Sequence, residues 1–145
     1  MSAVDLLSSV PIFSDLNSSD LEELYSRMST RTYGNNEIIL LEDEFGDTFF
    51  IISKGNIKVT RVSEDGREVI LAILGEGDFF GEMSLLDGQT RSANAIANDK
   101  CEVMILKRHD FLNFLEKFPK ISISLLIELA NRIRKSDQQI ENFAL

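Results

Sequence analysis

The sequence predicts a mainly β, α+β fold: a jelly-roll barrel (a double-stranded β-helix) with short helices before it and a long helix after it. Three observations predict this. Between Thr30 and Leu106, short runs rich in Ile, Val and Phe alternate with clusters of turn residues. On either side of that stretch, apolar residues recur at helical spacing instead. The 145 residues, 43% of them apolar, suit one compact unit with a sizeable core.

The elements divide the chain into a helical lead over 1–29, a barrel over 30–107 and C-terminal helices over 108–145. Residues 1–16 form an apolar lead with Pro11 and Phe13, read as a helical turn packed across the domain. Ser19-Asp20-Leu21-Glu22 has the form of a capping box, and Leu21, Leu24, Tyr25 and Met28 then mark one buried helix face. The strand-like runs are EIILL, TFFIIS, NIKVTRV, REVILAIL, SANAIA and CEVMIL. Turns are read at Gly34-Asn35-Asn36, Phe45-Gly46-Asp47, Lys54-Gly55-Asn56, Glu64-Asp65-Gly66 and Gly75-Glu76-Gly77. Several strands of this length at regular spacing are the pattern of a barrel or jelly roll. After Leu106, Phe111, Phe114, Leu115 and Phe118 mark a helix ending near Phe118, and Pro119 opens the next. In that last helix Leu126, Leu129, Ile133, Ser136, Ile140 and Phe143 fall on alternating a and d heptad positions.

Composition excludes several function classes. A formal charge of −9 opposes a broad nucleic-acid-binding face. The start has no basic n-region, and no stretch approaches the ~20 apolar residues of a membrane span. One cysteine, Cys101 in the apolar run CEVMIL, is read as a buried structural thiol of a cytoplasmic chain. With His109 the single histidine, a metal-dependent barrel enzyme lacks its ligands. No nucleophile elbow or Ser, His and Asp grouping stands out. No catalytic residue, metal or cofactor is expected.

One stretch carries chemistry: Gly77 to Ala97, GDFFGEMSLLDGQTRSANAIA. Gly81 lets the backbone approach a ligand, and Glu82 to Leu86 can form one helical turn whose free N–H groups favour an anion. Arg91 offers a planar charged fork for phosphate oxygens, and Glu82 an acceptor-only carboxylate for a sugar hydroxyl. Asp87-Gly88 is the turn that returns the chain. The plainer alternative is a surface ion pair between Glu82 and Arg91.

This stretch resembles the phosphate-binding cassette of cyclic-nucleotide-binding domains, through Phe80, Gly81, Glu82, Ser84, Leu85, the turn at Gly88, Arg91, Ser92 and Ala93. The barrel glycines resemble the family spacing too, whereas Glu42-Asp43 departs from its frequent Glu-Gly. The resemblance, nearest to the sensor domains of Crp/Fnr-type bacterial transcription regulators, implies a cyclic nucleotide as ligand. It assigns Glu82 to the ribose 2′-hydroxyl and Arg91 to the cyclic phosphate. Ser92 and the N–H groups near Met83, Ser84 and Ala93 complete the cradle. Val59 and Leu71 contact base or sugar, a role left open against plain core packing.

The resemblance also implies that the last helix, over 126–143, joins two copies as a homodimer and touches the purine through Ser136, with Arg132 one turn earlier. Asp137 stands where a hydroxyl is found in relatives. A carboxylate accepts from a guanine edge, so a preference for cyclic AMP over cyclic GMP stays open. Asp137 as a solvated helix charge is the plainer reading. The sequence reading is thus a cyclic-nucleotide sensor with cyclic AMP as its ligand, relaying occupancy through its last helix. The alternatives are a cyclic-GMP-selective sensor or a ligand-free docking module. No DNA-binding domain follows residue 145, and the helix stops without a capping glycine, which favours the sensor part of a longer regulator. Neither DNA nor a membrane is expected to bind these residues.

Overall fold

The computed structural model describes residues 2–144, with side chains through residue 138. Two helices and a 3-10 turn lead: α1 (Ala3–Ser9), Pro11–Phe13, and α2 (Ser18–Ser26). Eight strands follow: β1 (Ser29–Tyr33), β2 (Ile38–Leu40), β3 (Thr48–Lys54), β4 (Ile57–Val62), β5 (Glu68–Leu74), β6 (Phe79–Phe80), β7 (Asn94–Ala97) and β8 (Cys101–Lys107). A short helix α3 (Glu82–Asp87) interrupts them after β6, and α4 (Arg108–Lys117) and α5 (Pro119–Ala144) close the chain. The strands form two antiparallel four-stranded sheets, ordered β1-β8-β3-β6 and β2-β7-β4-β5. This is the jelly-roll barrel that the sequence predicts.

Strand β3 explains why the barrel has two cores. Its alternate residues point to opposite faces, and five consecutive ones, Phe49 to Ser53, are buried. Phe49 and Ile51 join Phe79, Met104, Leu106, Phe111, Phe114, Ile121 and the N-terminal helices in one cluster. Phe50 and Ile52 face the barrel interior with Tyr33, Ile57, Phe80, Ala95, Ala97, Cys101 and Val103. The two-residue strand β6 repeats this division. Phe50 pairs with Phe80 and Ile51 with Phe79. Phe80 stacks on Phe50 inside, with ring centroids 4.8 Å apart, while Phe79 lies beside Phe49 at 5.7 Å under the helices. Gly81 and α3 follow directly, so this aromatic anchor fixes where the cassette starts.

Some local expectations are corrected. Helix α2 is capped by Asn17, whose side chain accepts from the Asp20 N–H at 2.9 Å, and not by a box starting at Ser19. Asn is as good a cap as Ser, and the first helical turn already includes Ser18 and Ser19. The sequence reading also missed β1 and β6. Leu71 and Val59 do not serve as plain core. Val59 is half-buried, and Leu71 is 44% exposed. The register slips by one residue here, Val59 opposite Ala72 but Thr60 opposite Ile70, which leaves Leu71 as a β-bulge. Asp43 adopts φ 70°, a left-handed conformation that favours glycine. That is the position where the family resemblance expects Gly. The backbone geometry is kept although the residue differs.

Helix α5 packs Ile121 and Leu125 into the core, with Leu129 partly buried against it. The rest of the heptad face described here is unpartnered: Leu126 is 66% and Ile133 62% exposed, and Ser136 is exposed. Ile140 and Phe143 lie outside the described side chains.

Candidate functional site

Strand β6 delivers the chain to Gly81, which adopts φ 87° as the N-terminal cap of α3. A side chain at 81 would be strained there. Its Cβ would also lie 3.1 Å from the Phe50 ring, from the Thr48 carbonyl and from Arg91 Nη1. The first-turn N–H groups of α3, including those of Met83 and Ser84, have no intrahelical acceptor. Gly88, at φ 72°, ends the helix with its N–H on the Ser84 carbonyl. Strand β7 then starts three residues after Arg91.

Glu82 and Arg91 are both buried, at 4% and 5% exposure, so they are not a surface ion pair. They do not pair with each other. Arg91 Nη1 donates to the Gly81 carbonyl at 2.7 Å and to Ser84 Oγ at 2.8 Å. Its Nη2 donates to the Thr48 carbonyl at 3.0 Å and to Thr48 Oγ1 at 3.1 Å. Among the described residues, no carboxylate oxygen comes within ion-pairing distance of it. Burial pushes the guanidinium pKa down from its ordinary value, and the fields of Asp47 and Glu82 oppose that shift. A buried cation held by neutral acceptors keeps its charge available to an anion.

Glu82 is instead tied to α5. Arg132 Nη1 donates to Glu82 Oε1 at 3.3 Å, and its Nη2 donates to the Phe79 carbonyl at 2.8 Å. The Arg132 guanidinium also lies over the Phe79 ring, 4.2 Å from its centroid. Burial raises the Glu82 pKa above its ordinary value, against the opposing pull of Arg132, its own backbone N–H and Arg91.

A carboxyl with a raised folded pKa binds more protons folded than unfolded, so it lowers stability as pH rises through that window. The Glu82→Gln variant, without ligand, is therefore expected to be more stable than the parent at about pH 7, with the gap closing by about pH 4. Urea melts at the two pH values check this. A gap that does not depend on pH would contradict it.

The remaining predicted positions are spread around the cassette. Ser92 is exposed and directs Oγ at Met83 Sδ, 3.6 Å away; Met83 is itself exposed, and Ala93 is half-buried. Val59 and Leu71 belong to the β4–β5 hairpin of the second sheet. Ser136 and Asp137 are exposed on α5, and neither has a hydrogen-bond partner among the described residues. Cys101 is buried, as expected. No cluster of three potential metal-ligating residues occurs among the described residues, and no helix there is long and apolar enough to cross a membrane.

A family model described as cyclic nucleotide-binding domain matches residues 30–118. The chain belongs to the cyclic nucleotide-binding domain family. The match starts in β1 and ends after α4, so it contains the barrel from Thr30 onward and the cassette.

Among similar proteins, a cyclic AMP receptor protein of Thermus thermophilus is 32% identical over 131 residues, which is 90% of this chain and 61% of that protein. A cGMP-dependent protein kinase of Drosophila melanogaster is 33% identical over 144 residues, 97% of this chain and 15% of the kinase. The crystal structure of the catabolite activator protein of Thermus thermophilus superposes with a TM-score of 0.82 at 31% identity, covering 92% of this chain and 63% of that one. The chain thus spans about three-fifths of the regulators it resembles. The domain is similar both to bacterial regulators and to domains of cyclic-nucleotide-dependent kinases.

Sequence reasoning missed the two parts of this site that join distant segments. In sequence, Thr48 shows only as the start of an apolar run, and Gly46 only as part of a turn. Arg132 was expected at the ligand, and the structure places it on Glu82.

Proposed function

We propose that this domain is a sensor that binds a cyclic nucleotide, cyclic AMP in preference to cyclic GMP, and reports occupancy through α5. The observation that carries the reading is the buried Arg91 guanidinium. It sits beside the first turn of α3 with neutral acceptors and, among the described residues, no carboxylate partner within reach. Such a cation suits a phosphate monoanion, which the N–H groups of Met83 and Ser84, the Ala93 segment and the Ser92 hydroxyl would help to hold. Glu82 takes the ribose 2′-hydroxyl. The base lies towards Val59 and Leu71 of the β4–β5 hairpin, and Ser136 of α5 covers it.

Two features support a relay. Glu82 stands in the cassette and Arg132 on α5, so a ribose hydroxyl on Glu82 changes the partner that holds the helix. The exposed Leu126, Ile133 and Ser136 then meet the same face of a second copy, which makes a homodimer through 126–143. Placement in a transcription regulator follows the regulator relatives. The Thermus protein's name supports cyclic AMP. Asp137 and the Drosophila kinase support cyclic GMP as the second reading.

Titration calorimetry of the 145-residue chain with each nucleotide tests this. Micromolar cyclic AMP with weaker cyclic GMP is expected; the reverse order moves the purine contact to Asp137. Binding of neither supports the docking-module alternative.

The relay has its own test. In Arg132→Ala, cyclic AMP should still bind, but hydrogen exchange in α5 should no longer respond to it. The ligand-free variant should also be less stable, because Glu82 is left buried without its partner, a loss of about 1–3 kcal/mol. An unchanged α5 response would remove Arg132 from the relay.

A further inference from the structure

Arg91 is placed by a segment that precedes it by more than forty residues. Its N–H donates to the Glu44 carbonyl at 2.7 Å, and its carbonyl accepts from the Asp43 N–H at 2.9 Å. Phe45 forms an isolated antiparallel bridge with Thr90. The Asp43–Thr48 segment therefore runs along the Arg91 backbone, and at its end Thr48 meets the guanidinium. Thr48 is itself fixed. It opens β3 opposite Lys107 of β8, and the Arg108 N–H donates to the preceding Asp47 carbonyl at 2.7 Å.

A guanidinium has five N–H donors in one rigid plane. Two contacts on Nη1 and two on Nη2 hold that plane in one orientation. Of the four acceptors, the Gly81 and Thr48 carbonyls are main chain, and Ser84 belongs to the cassette. The Thr48 hydroxyl is the one side-chain acceptor from outside it among the described residues. A carboxylate in that place would orient the fork equally well but would cancel its charge and compete with an incoming anion. A hydroxyl orients without cancelling. Asp47, next in sequence, affects Arg91 through space but is not within ion-pairing distance.

We infer that Thr48 is a positioning residue for anion recognition, holding the Arg91 fork in the plane that the phosphate meets. The inference rests on the reading of Arg91 as the phosphate ligand. Its energetic basis is preorganisation. Arg side chains carry large rotamer entropy, and a fork fixed before the ligand arrives loses less on binding.

Calorimetry with cyclic AMP on the parent chain, Thr48→Val and Thr48→Ser, together with ligand-observed NMR of adenosine at millimolar concentration, tests it. Val keeps the β-branched shape and the carbonyl contact but removes the hydroxyl. Thr48→Val is expected to weaken cyclic AMP about tenfold, with adenosine, which lacks the phosphate, unchanged. Thr48→Ser is expected to restore cyclic AMP binding to near the parent. Equal losses for cyclic AMP and adenosine would indicate a general loosening of the site and overturn the inference. So would parent-like binding by Thr48→Val, or failure of Ser to rescue. A parent chain that binds no cyclic nucleotide defeats the underlying reading instead, and the inference with it.

Discussion

Replacing Arg91 with alanine is expected to weaken cyclic AMP by two to three orders of magnitude while the barrel stays folded. Truncating one member of a buried charge pair costs about 2–5 kcal/mol, most of it as faster dissociation. In this variant the phosphate would lose its only cation in the cassette and keep only N–H and hydroxyl donors. The fold is expected to survive for a different reason. Without ligand, Arg91 is a desolvated cation with no carboxylate partner among the described residues, so removing it relieves a desolvation cost. It also leaves the Gly81 and Thr48 carbonyls without a donor, and water can enter the vacated space to satisfy them. These effects oppose each other. Calorimetry with circular dichroism separates binding from folding. Parent-like affinity in a folded Arg91→Ala variant would end the phosphate role of this residue.

A second expected result concerns Gly46, which touches no predicted ligand atom. Gly46→Ala should reduce cyclic AMP affinity nearly as far as Arg91→Ala, with the fold retained. A Cβ at 46 would lie 2.1 Å from both Cζ and Nε of Arg91 and 2.6 Å from Nη1. These atoms lie at the far end of a side chain, so the guanidinium is driven off its four acceptors and the backbone stays in place. Gly46 is not among the glycines at positive φ, so alanine suits its backbone. The unfolded-chain gain of a Gly to Ala change, about 0.4–1 kcal/mol, is offset by the hydrogen bonds that the displaced guanidinium gives up. A cooperatively folded chain with binding lost is the signature that urea melts and calorimetry on one sample would show. Unimpaired binding would mean that Arg91 can leave its four acceptors at no cost to recognition.

Much of this architecture could be read from local pattern. TFFIIS becomes a strand buried on both faces, and the glycine-ended helix of the cassette lies where Gly81 and Gly88 place it. The change from strand-like to helical period after Leu106 becomes β8 and α4. Two strands escaped. Phe79–Phe80 is too short to alternate, and Ser29–Tyr33 is exposed except at Tyr33, so it has no apolar face to detect. The site was legible in its cassette and not beyond it. Arg132 meets Glu82 across fifty positions, a distance at which no periodicity operates. Two of the four Arg91 acceptors are backbone carbonyls, which any residue supplies, so no pattern of residue types could point to them.

The order of the strands bears on how the molecule comes to be made. Ser29 of β1 pairs with Ile105 of β8, and β3 pairs along nearly its whole length with that same late strand. Neither can complete its hydrogen bonds until the last strand has left the ribosome. Until then, the doubly apolar Phe49–Ile52 run has only β6 to pair with. Helices α1 and α2 can form early, but closure of the barrel waits for residue 107. Chains dominated by such non-local pairing fold in about milliseconds to seconds rather than microseconds. During synthesis, the binding cassette therefore becomes competent only after the polypeptide has passed well beyond it. Loss of β8 by truncation would expose the β3 run as an edge prone to aggregation, rather than leave a weaker sensor.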